Sequence, residues 1–359
     1  MLNANYIGWL YLMYFIGSVI FSILINFIFL RFAQNLGIRG NIDTADRWSP
    51  IQKPAFGGIS FYILFLLSFS SFNIFFASES PFPNSVMLGL LFATALSFLM
   101  GLADDAFNTK PFLKLAVQIL SAAILIFTGT FIDIFSDQWL NYLFTILWVV
   151  GLMNSINMLD NMDAITSLIS IIIIFSTLVL MLVTGNYYNI YFFTLIGVLA
   201  SLLGFLYFNW HPSRLFMGDT GSQFLGLFLA FIGIRYFWNA DLQALQNPIF
   251  DKFILIIGIF AIPLIDTSTV TINRLLRRQS PMVGGKDHTT HTLAYMGLND
   301  KQVALFLSLL SLLFSFSTIY LMTVEKAFGG VFEVLILCLF LILLFSFLYL
   351  NRLLLKSKH

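Results

Sequence analysis

The chain has 359 residues, of which 59% are hydrophobic and 10% charged, with a mean hydropathy of +0.91 and a formal net charge of +1. Soluble domains carry about 25% charged residues, so there is too little charge here to cover a water-facing surface, and 42 Phe, 13 Tyr and 6 Trp exclude a disordered chain. The near-neutral balance gives no support for a nucleic-acid partner. What remains is an all-α polytopic membrane protein.

A helix needs roughly 20 mainly apolar residues to cross the bilayer core. Such stretches fall near 7–30, 57–77, 86–103, 112–132, 140–158, 164–184, 190–210, 222–238, 253–272, 302–324 and 331–351. That makes eleven spans, or ten if one segment is re-entrant. The first begins without a basic flank and is too long for a signal-peptide core. The single cysteine, Cys338, lies inside the last and has no partner for an intrachain disulfide. Loops after odd-numbered spans, with the C-terminal tail, hold 15 of the 18 Lys and Arg, among them Arg39, Arg47 and Lys358. Arg235, Lys252 and Lys326 are the exceptions. Cytoplasmic loops are enriched in these residues, which predicts an outside N-terminus and a cytoplasmic C-terminus. Residues 1–359 read as one transmembrane domain, with polar cytoplasmic segments near 31–56, 104–111, 157–163, 211–221 and 273–301.

Acids gather at three of these segments. Asp104-Asp105 follows the third span; on a regular helix the two side chains diverge by about 100°, so both face one ligand only where the backbone turns. A solvated helix end and a carboxylate pair for a divalent cation or a base both remain open. Asn154, Asn157, Asp160 and Asp163 recur every three residues on one helical stripe. Interhelical hydrogen bonding suits the two Asn, whereas the two Asp have no base in the stripe to balance them. Met217-Gly-Asp-Thr-Gly-Ser places Asp219 between glycines just before the eighth span, suited either to an ordinary N-cap or to a ligand at a helix start.

The loop after the ninth span has the opposite sign: Arg274, Arg277, Arg278, Lys286, His288 and His291. Phosphate recognition fits better than zinc, because no third and fourth ligands complete the His pair; a purely topological anchor is the plainer alternative. Isolated charges inside membrane segments are functional candidates by default. Asp266, near the cytoplasmic end of its span, is expected to orient an Arg of the basic loop, while Arg235 belongs either to a site or to a structural pair.

Gly101-Leu-Ala-Asp-Asp with Lys114 and Gln118 beyond it, Asn157-Met-Leu-Asp-Asn-Met-Asp, Phe208-Asn-Trp-His-Pro-Ser-Arg-Leu-Phe-Met-Gly-Asp-Thr-Gly-Ser and Asp287-His-Thr-Thr-His-Thr-Leu stand in this order. Together they resemble the signatures of the polyprenyl-phosphate N-acetylhexosamine-1-phosphate transferases, of the glycosyltransferase 4 type, in the branch that starts surface glycans from UDP-N-acetylglucosamine. Asp46-Arg47 and Lys53-Pro-Ala-Phe-Gly-Gly58 look like a first cytoplasmic signature, so the resemblance runs from about Asp43 to Asp300. It implies a Mg²⁺-dependent transfer, with Mn²⁺ as an alternative ion. N-acetylglucosamine 1-phosphate, or that of another UDP-amino sugar, passes to undecaprenyl phosphate and UMP leaves. The reaction would sit on the cytoplasmic face of a bacterial inner membrane, as the first membrane step of a surface polysaccharide.

By position, Asp104, Asp105, Asp160 and Asp163 would be catalytic acids, Asp219 and Asp105 metal ligands, and Lys53, Lys114, Asn157, Arg274, His288 and His291 substrate contacts. A homodimer is left open. The basic run departs from the usual His-Leu-His-His-Arg-Leu at Thr290 and Thr292, and Ala164 stands where Gly is common. The sister branch acting on phospho-N-acetylmuramoyl-pentapeptide carries consecutive histidines that this chain lacks. The rival class is a secondary transporter or lipid-linked flippase, whose ionisable groups sit near the bilayer midplane in related repeats. Here the acids lie at one face and no repeat is evident.

Overall fold

The computed structural model describes residues 4–35, 53–76, 84–240, 248–281, 284–323 and 329–356. Asp46-Arg47, Arg39, Lys326 and Lys358 lie outside them. The described residues are helical, with no strand. In chain order the helices are α1 (Ala4–Asn35), α2 (Gly57–Phe75), α3 (Ser85–Phe107), α4 (Pro111–Phe127), α5 (Gln138–Leu159), α6 (Ile165–Val183) and α7 (Ile190–Asn209). Then come α8 (Gly218–Gly233), continued by a π-helical turn at Ile234–Trp238, α9 (Pro248–Ile259), α10 (Ala261–Leu276), α11 (Thr289–Tyr295), α12 (Asp300–Thr323) and α13 (Gly329–Lys356).

Among the described residues, eight helices are long and apolar enough to cross a membrane, or nine if α9 and α10 count as one span. Those eight coincide with eight of the eleven stretches predicted from sequence. The other three are a 17-residue α4, a 16-residue α8 and the α9–α10 pair, which is bent by 89°. The bend has a local cause. Pro263 has no N–H to give Ile259, and its ring clashes with that carbonyl, so the helix breaks at Phe260 and restarts.

Helix ends follow the usual chemistry. Asn84 caps α3 by accepting the Met87 N–H at 2.8 Å, and Asn189 caps α7 by accepting from Phe192 at 3.0 Å. Asn108 closes α3 in the left-handed conformation (φ 47°), and Pro111 opens α4. Ala164 also adopts φ 67° ahead of α6, a conformation that costs an alanine roughly 1–2 kcal/mol. Its N–H is held by Asn209 Oδ1 at 3.1 Å.

The centre of the molecule is α8, buried on every side from Thr220 to Gly233 and packed against α2, α3 and α5. Phe224 and Phe228 interleave with Phe65 and Tyr62 of α2. Close approach of backbones requires residues without side chains. A Cβ on Gly101 would run into the Asp219–Thr220 backbone, and one on Gly58 into Gly221. These contacts bring the Asp104-Asp105 end of α3 to the start of α8. By contrast, α1 and α13 expose apolar faces along most of their length.

Gly101→Ala therefore forces α3 off α8 and should cost about 1–3 kcal/mol of stability. Gly8→Ala, on α1 with open space around it, should leave thermal unfolding in detergent unchanged or slightly raised.

Candidate active site

One cavity of about 830 Å³ opens where α3, α4, α5, α8 and α10 meet the 284–291 segment. All eleven residues to which the resemblance gives a role line it: Lys53, Asp104, Asp105, Lys114, Asn157, Asp160, Asp163, Asp219, Arg274, His288 and His291. Its size is in the range of small-molecule sites.

The first cluster forms around the start of α8. Met217 occupies the cap position without a side-chain acceptor. Asp105 supplies it from α3: Oδ1 accepts from the Asp219 N–H at 2.8 Å, and Oδ2 from the Thr220 N–H at 2.9 Å and its hydroxyl at 2.6 Å. A carboxylate there also complements the positive end of the helix dipole. Asp105, expected beside Asp219 on a metal, is thus committed to seating the helix that carries Asp219. Because α3 stays helical to Phe107, Asp104 points elsewhere. It accepts from the Thr109 N–H at 3.0 Å and hydroxyl at 2.5 Å, and from Lys114 Nζ at 2.6 Å. Lys114 Nζ also lies 3.7 Å from Asp219 Oδ1. The Asp104 and Asp219 carboxyls are within hydrogen-bonding reach of one another. Asn157 donates to Asp219 and, at 2.8 Å, to Ser222.

The stripe expected through Asp163 stops at Leu159, where α5 ends; Asp160 occupies its C-cap and Asp163 the following turn. Asn154 exchanges hydrogen bonds with Gln118 across to α4, the interhelical role that its residue type suggested. Asp163 forms a second cluster. It accepts from the Ser213 N–H at 2.9 Å and hydroxyl at 2.7 Å, with His211 Nδ1 at 3.1 Å and Lys53 Nζ at 3.6 Å. Lys53 Nζ also donates to the Ser213 hydroxyl at 2.8 Å. Backbone bonds from Phe216 to Pro54 (2.9 Å), from Gly57 to Phe216 (3.0 Å) and from Gly58 to Met217 (3.0 Å) tie the Lys53–Gly58 segment to the approach of α8.

The third cluster is the basic loop. Asp266, fully buried in α10, does not hold an arginine; His288 Nδ1 is 2.9 Å from its Oδ2, while Oδ1 accepts from the Thr289 N–H at 2.8 Å and hydroxyl at 2.7 Å. Arg274 turns instead to Asp287, as a two-pronged pair at 2.9 and 2.6 Å, with Arg277 adding a third bond at 2.7 Å. Burial alone would raise the Asp287 pKa, but Arg274, then Arg277 and His288, hold it below the ordinary carboxylate value. His291 is pushed down to about 3, by burial first and then by the neighbouring His288. It is therefore uncharged at neutral pH and can act on a ligand only through hydrogen bonds. Thr290 donates to Asn161 Oδ1 at 2.6 Å, latching this loop to the turn after α5.

Arg235 lies away from this cavity, stacked 4.1 Å over the Tyr191 ring. Residues that sequence reasoning left without a role include Ser213 and Asn209. Asn209 accepts from Ala164 and Ser167 and donates to Leu215. Both stood inside a quoted motif, yet only the fold shows which carboxylate or amide they meet.

Among the described residues, no group of three or more His, Cys, Asp or Glu has the arrangement of a metal cage. The adjacent Asp104 and Asp219 carboxyls are nonetheless a donor set that suits Mg²⁺, which is held by one or two carboxylates with the remaining positions left to water and phosphate.

Residues 87–237 match the model of glycosyl transferase family 4. The chain is 28% identical over 318 residues, 86% of its length and 84% of the relative's, to the probable undecaprenyl-phosphate N-acetylglucosaminyl 1-phosphate transferase of Bacillus subtilis (strain 168). Similarity to the decaprenyl-phosphate N-acetylglucosaminephosphotransferase of Mycobacterium leprae is 27% over 287 residues, 71% of this chain and 70% of the other. With the phospho-N-acetylmuramoyl-pentapeptide-transferase of Streptococcus agalactiae serotype Ia it is 30% over 227 residues, 57% of this chain and 67% of the other.

The two acid posts should separate experimentally. Asp219→Asn relieves the contact between two carboxyls and should leave thermal stability equal or higher in metal-free buffer. Asp105→Ala strips the start of α8 of its acceptor and should lower stability by about 1–3 kcal/mol. Equal losses in the two variants would contradict this division.

Proposed function

The chain belongs to glycosyl transferase family 4, and from that membership and the geometry of its cavity we propose that it transfers a sugar 1-phosphate from a UDP-sugar to undecaprenyl phosphate, releasing UMP. The observation that carries this reading is the convergence of three acidic motifs, each from a different helix, with Arg274 and His288 on one cavity. Relatives named for transfer to polyprenyl phosphates make N-acetylglucosamine 1-phosphate the favoured group.

Donor and acceptor are both anionic, so charge opposes their approach. Asp219 and Asp104 would hold the Mg²⁺. When bound, it offsets this repulsion and stabilises the departing UMP as a Lewis acid. Lys114, which touches both carboxylates, keeps them together and adds positive charge. Arg274 and His288 bind donor phosphate oxygens, and Asn157 fixes the Asp219 rotamer. In the direct route, an oxygen of the lipid phosphate attacks the donor's sugar-linked phosphorus. The bond from that phosphorus to UMP breaks, and any proton on the acceptor passes to Asp104 or Asp105. Asp163 positions the segment leading into α8, and Asp160 lines the nucleotide side.

The charge distribution supports an active site on the cytoplasmic face of a bacterial inner membrane, with the N-terminus outside. UDP-sugars are then met on the side where they are made, and the acceptor's apolar tail stays in the bilayer.

Purified protein with undecaprenyl phosphate and labelled UDP-N-acetylglucosamine should place label in the lipid extract and release UMP. Chelation should stop transfer and Mg²⁺ restore it, while Asp219→Asn should fall to background. Parallel reactions with other UDP-amino sugars rank the donors. Absence of lipid-linked label with every donor would overturn the assignment.

Order of events is tested separately. Direct attack predicts that protein stripped of polyprenyl phosphate exchanges no labelled UMP into UDP-N-acetylglucosamine until lipid is restored. Rapid lipid-free exchange would instead require a phosphosugar-enzyme with an Asp as nucleophile.

A further inference from the structure

Almost all of α13 is apolar and faces outward, yet one polar side chain on it, Asn351, is only 2% exposed. An amide on such a helix is costly unless its hydrogen bonds are made. Those of Asn351 all go to chain neighbours of Arg274, His288 and His291, which line the cavity. Its Nδ2 donates to the Asp287 carbonyl at 2.7 Å and the Thr292 hydroxyl at 3.1 Å, and its Oδ1 accepts from Asn273 Nδ2 at 3.2 Å. Arg352 Nε completes the junction on Asn273 Oδ1 at 2.9 Å. One amide thus joins α10, the segment before α11, and α11 itself. It lies far outside residues 87–237 and after the last sequence signature.

We propose that Asn351 is a positioning residue for donor binding: it holds the Asp287–His288 main chain against the cavity independently of the charges around it. The Asp287 side chain is secured by Arg274 and Arg277, the same cations that an incoming diphosphate would compete for. If a phosphate draws one of them away, the Asp287 peptide keeps its place, because its carbonyl is held from α13. His288, the next residue, then stays on Asp266. Thr292, where the resembled run carries Arg, meets α13 through the same amide.

The kinetic part of this inference rests on the transferase reading; the structural part does not. Asn351→Leu should raise the apparent KM for the UDP-sugar about tenfold, as expected when one buried polar group loses its partner, with a smaller change in kcat. Amide hydrogen exchange over 284–293 should quicken by a similar factor without any substrate present. Asn141→Leu is the control. It breaks a buried cluster with Asp133 and Phe135 away from the cavity, and should lower thermal stability with KM unchanged. Should Asn351→Leu fail to fold, Asn351→Asp, which keeps size but loses the donor, gives the same two readouts. Wild-type exchange over 284–293, or a stability loss with unchanged KM as in the control, would overturn the proposal. A wild-type protein that transfers no phosphosugar would instead defeat the proposed reaction, leaving the exchange measurement to decide the role of Asn351.

Discussion

The start of α8 presents peptide N–H groups deep in the protein, and Met217 at its cap position offers them no side-chain acceptor. Leaving them unmet would be expensive in an apolar surrounding. The solution is borrowed from another helix. Asp105 on α3 takes the Asp219 and Thr220 N–H groups, and it can reach them only because Gly101 lets the two backbones close together. From this bond the rest follows: where Asp219 sits, which way Asp104 is left to face, and why Lys114 falls between them.

Viewed this way, the acids divide by what already satisfies them. Asp105, Asp163, Asp266 and Asp287 each accept several hydrogen bonds from backbone, hydroxyl or cationic groups. They do for polar loops what apolar side chains do for the spans, fixing segments that have no greasy face to bury. Asp104 and Asp219 differ in sharing a single cation, Lys114 Nζ lying 2.6 Å from Asp104 and 3.7 Å from Asp219. Two acids held against each other next to one lysine are poorly balanced without further positive charge. Under the proposed reaction, the bound Mg²⁺ would supply that charge.

Much of this was legible in the sequence because it depends on cost. Long apolar stretches must be helices in a bilayer, and charges at their ends must have a reason. Hence the eight long spans, and the acids at helix ends that line the cavity, were readable from residue type and spacing, whereas Lys53 and Lys114 were marked only by the resemblance. What was not readable depends on direction. Hydropathy sees residues 253–272 as one span, whereas Pro263 breaks them into two helices. The pairing of Asp266 with His288, and of Arg274 with Asp287, is made from α10 beyond that break, where Thr267, Thr271 and Arg274 line the cavity. Nor could spacing show that α3 continues to Phe107, which sends Asp104 and Asp105 to different tasks. Asn351 gave no signal beyond being a lone amide in an apolar run.

The division also bears on how two anions could meet here. A cavity lined throughout by cations would hold both substrates tightly and resist their reaction, since binding that is equally strong before and during transfer lowers no barrier. This wall is mixed instead. The α3–α8 side offers carboxylates around Lys114, while the α10 side offers Arg274 and His288, each already tied to an acid of its own. His291, uncharged through burial, adds no further positive charge to that side. Under the proposed reaction, these donors are thus partly spent before substrate arrives, and a diphosphate gains only what it can take from Asp287 and Asp266. Full positive charge would be present only with the metal on Asp104 and Asp219, beside the phosphorus under attack. Attraction would then be strongest at the bond that changes and modest elsewhere, the distribution that lets UMP leave once the bond is broken.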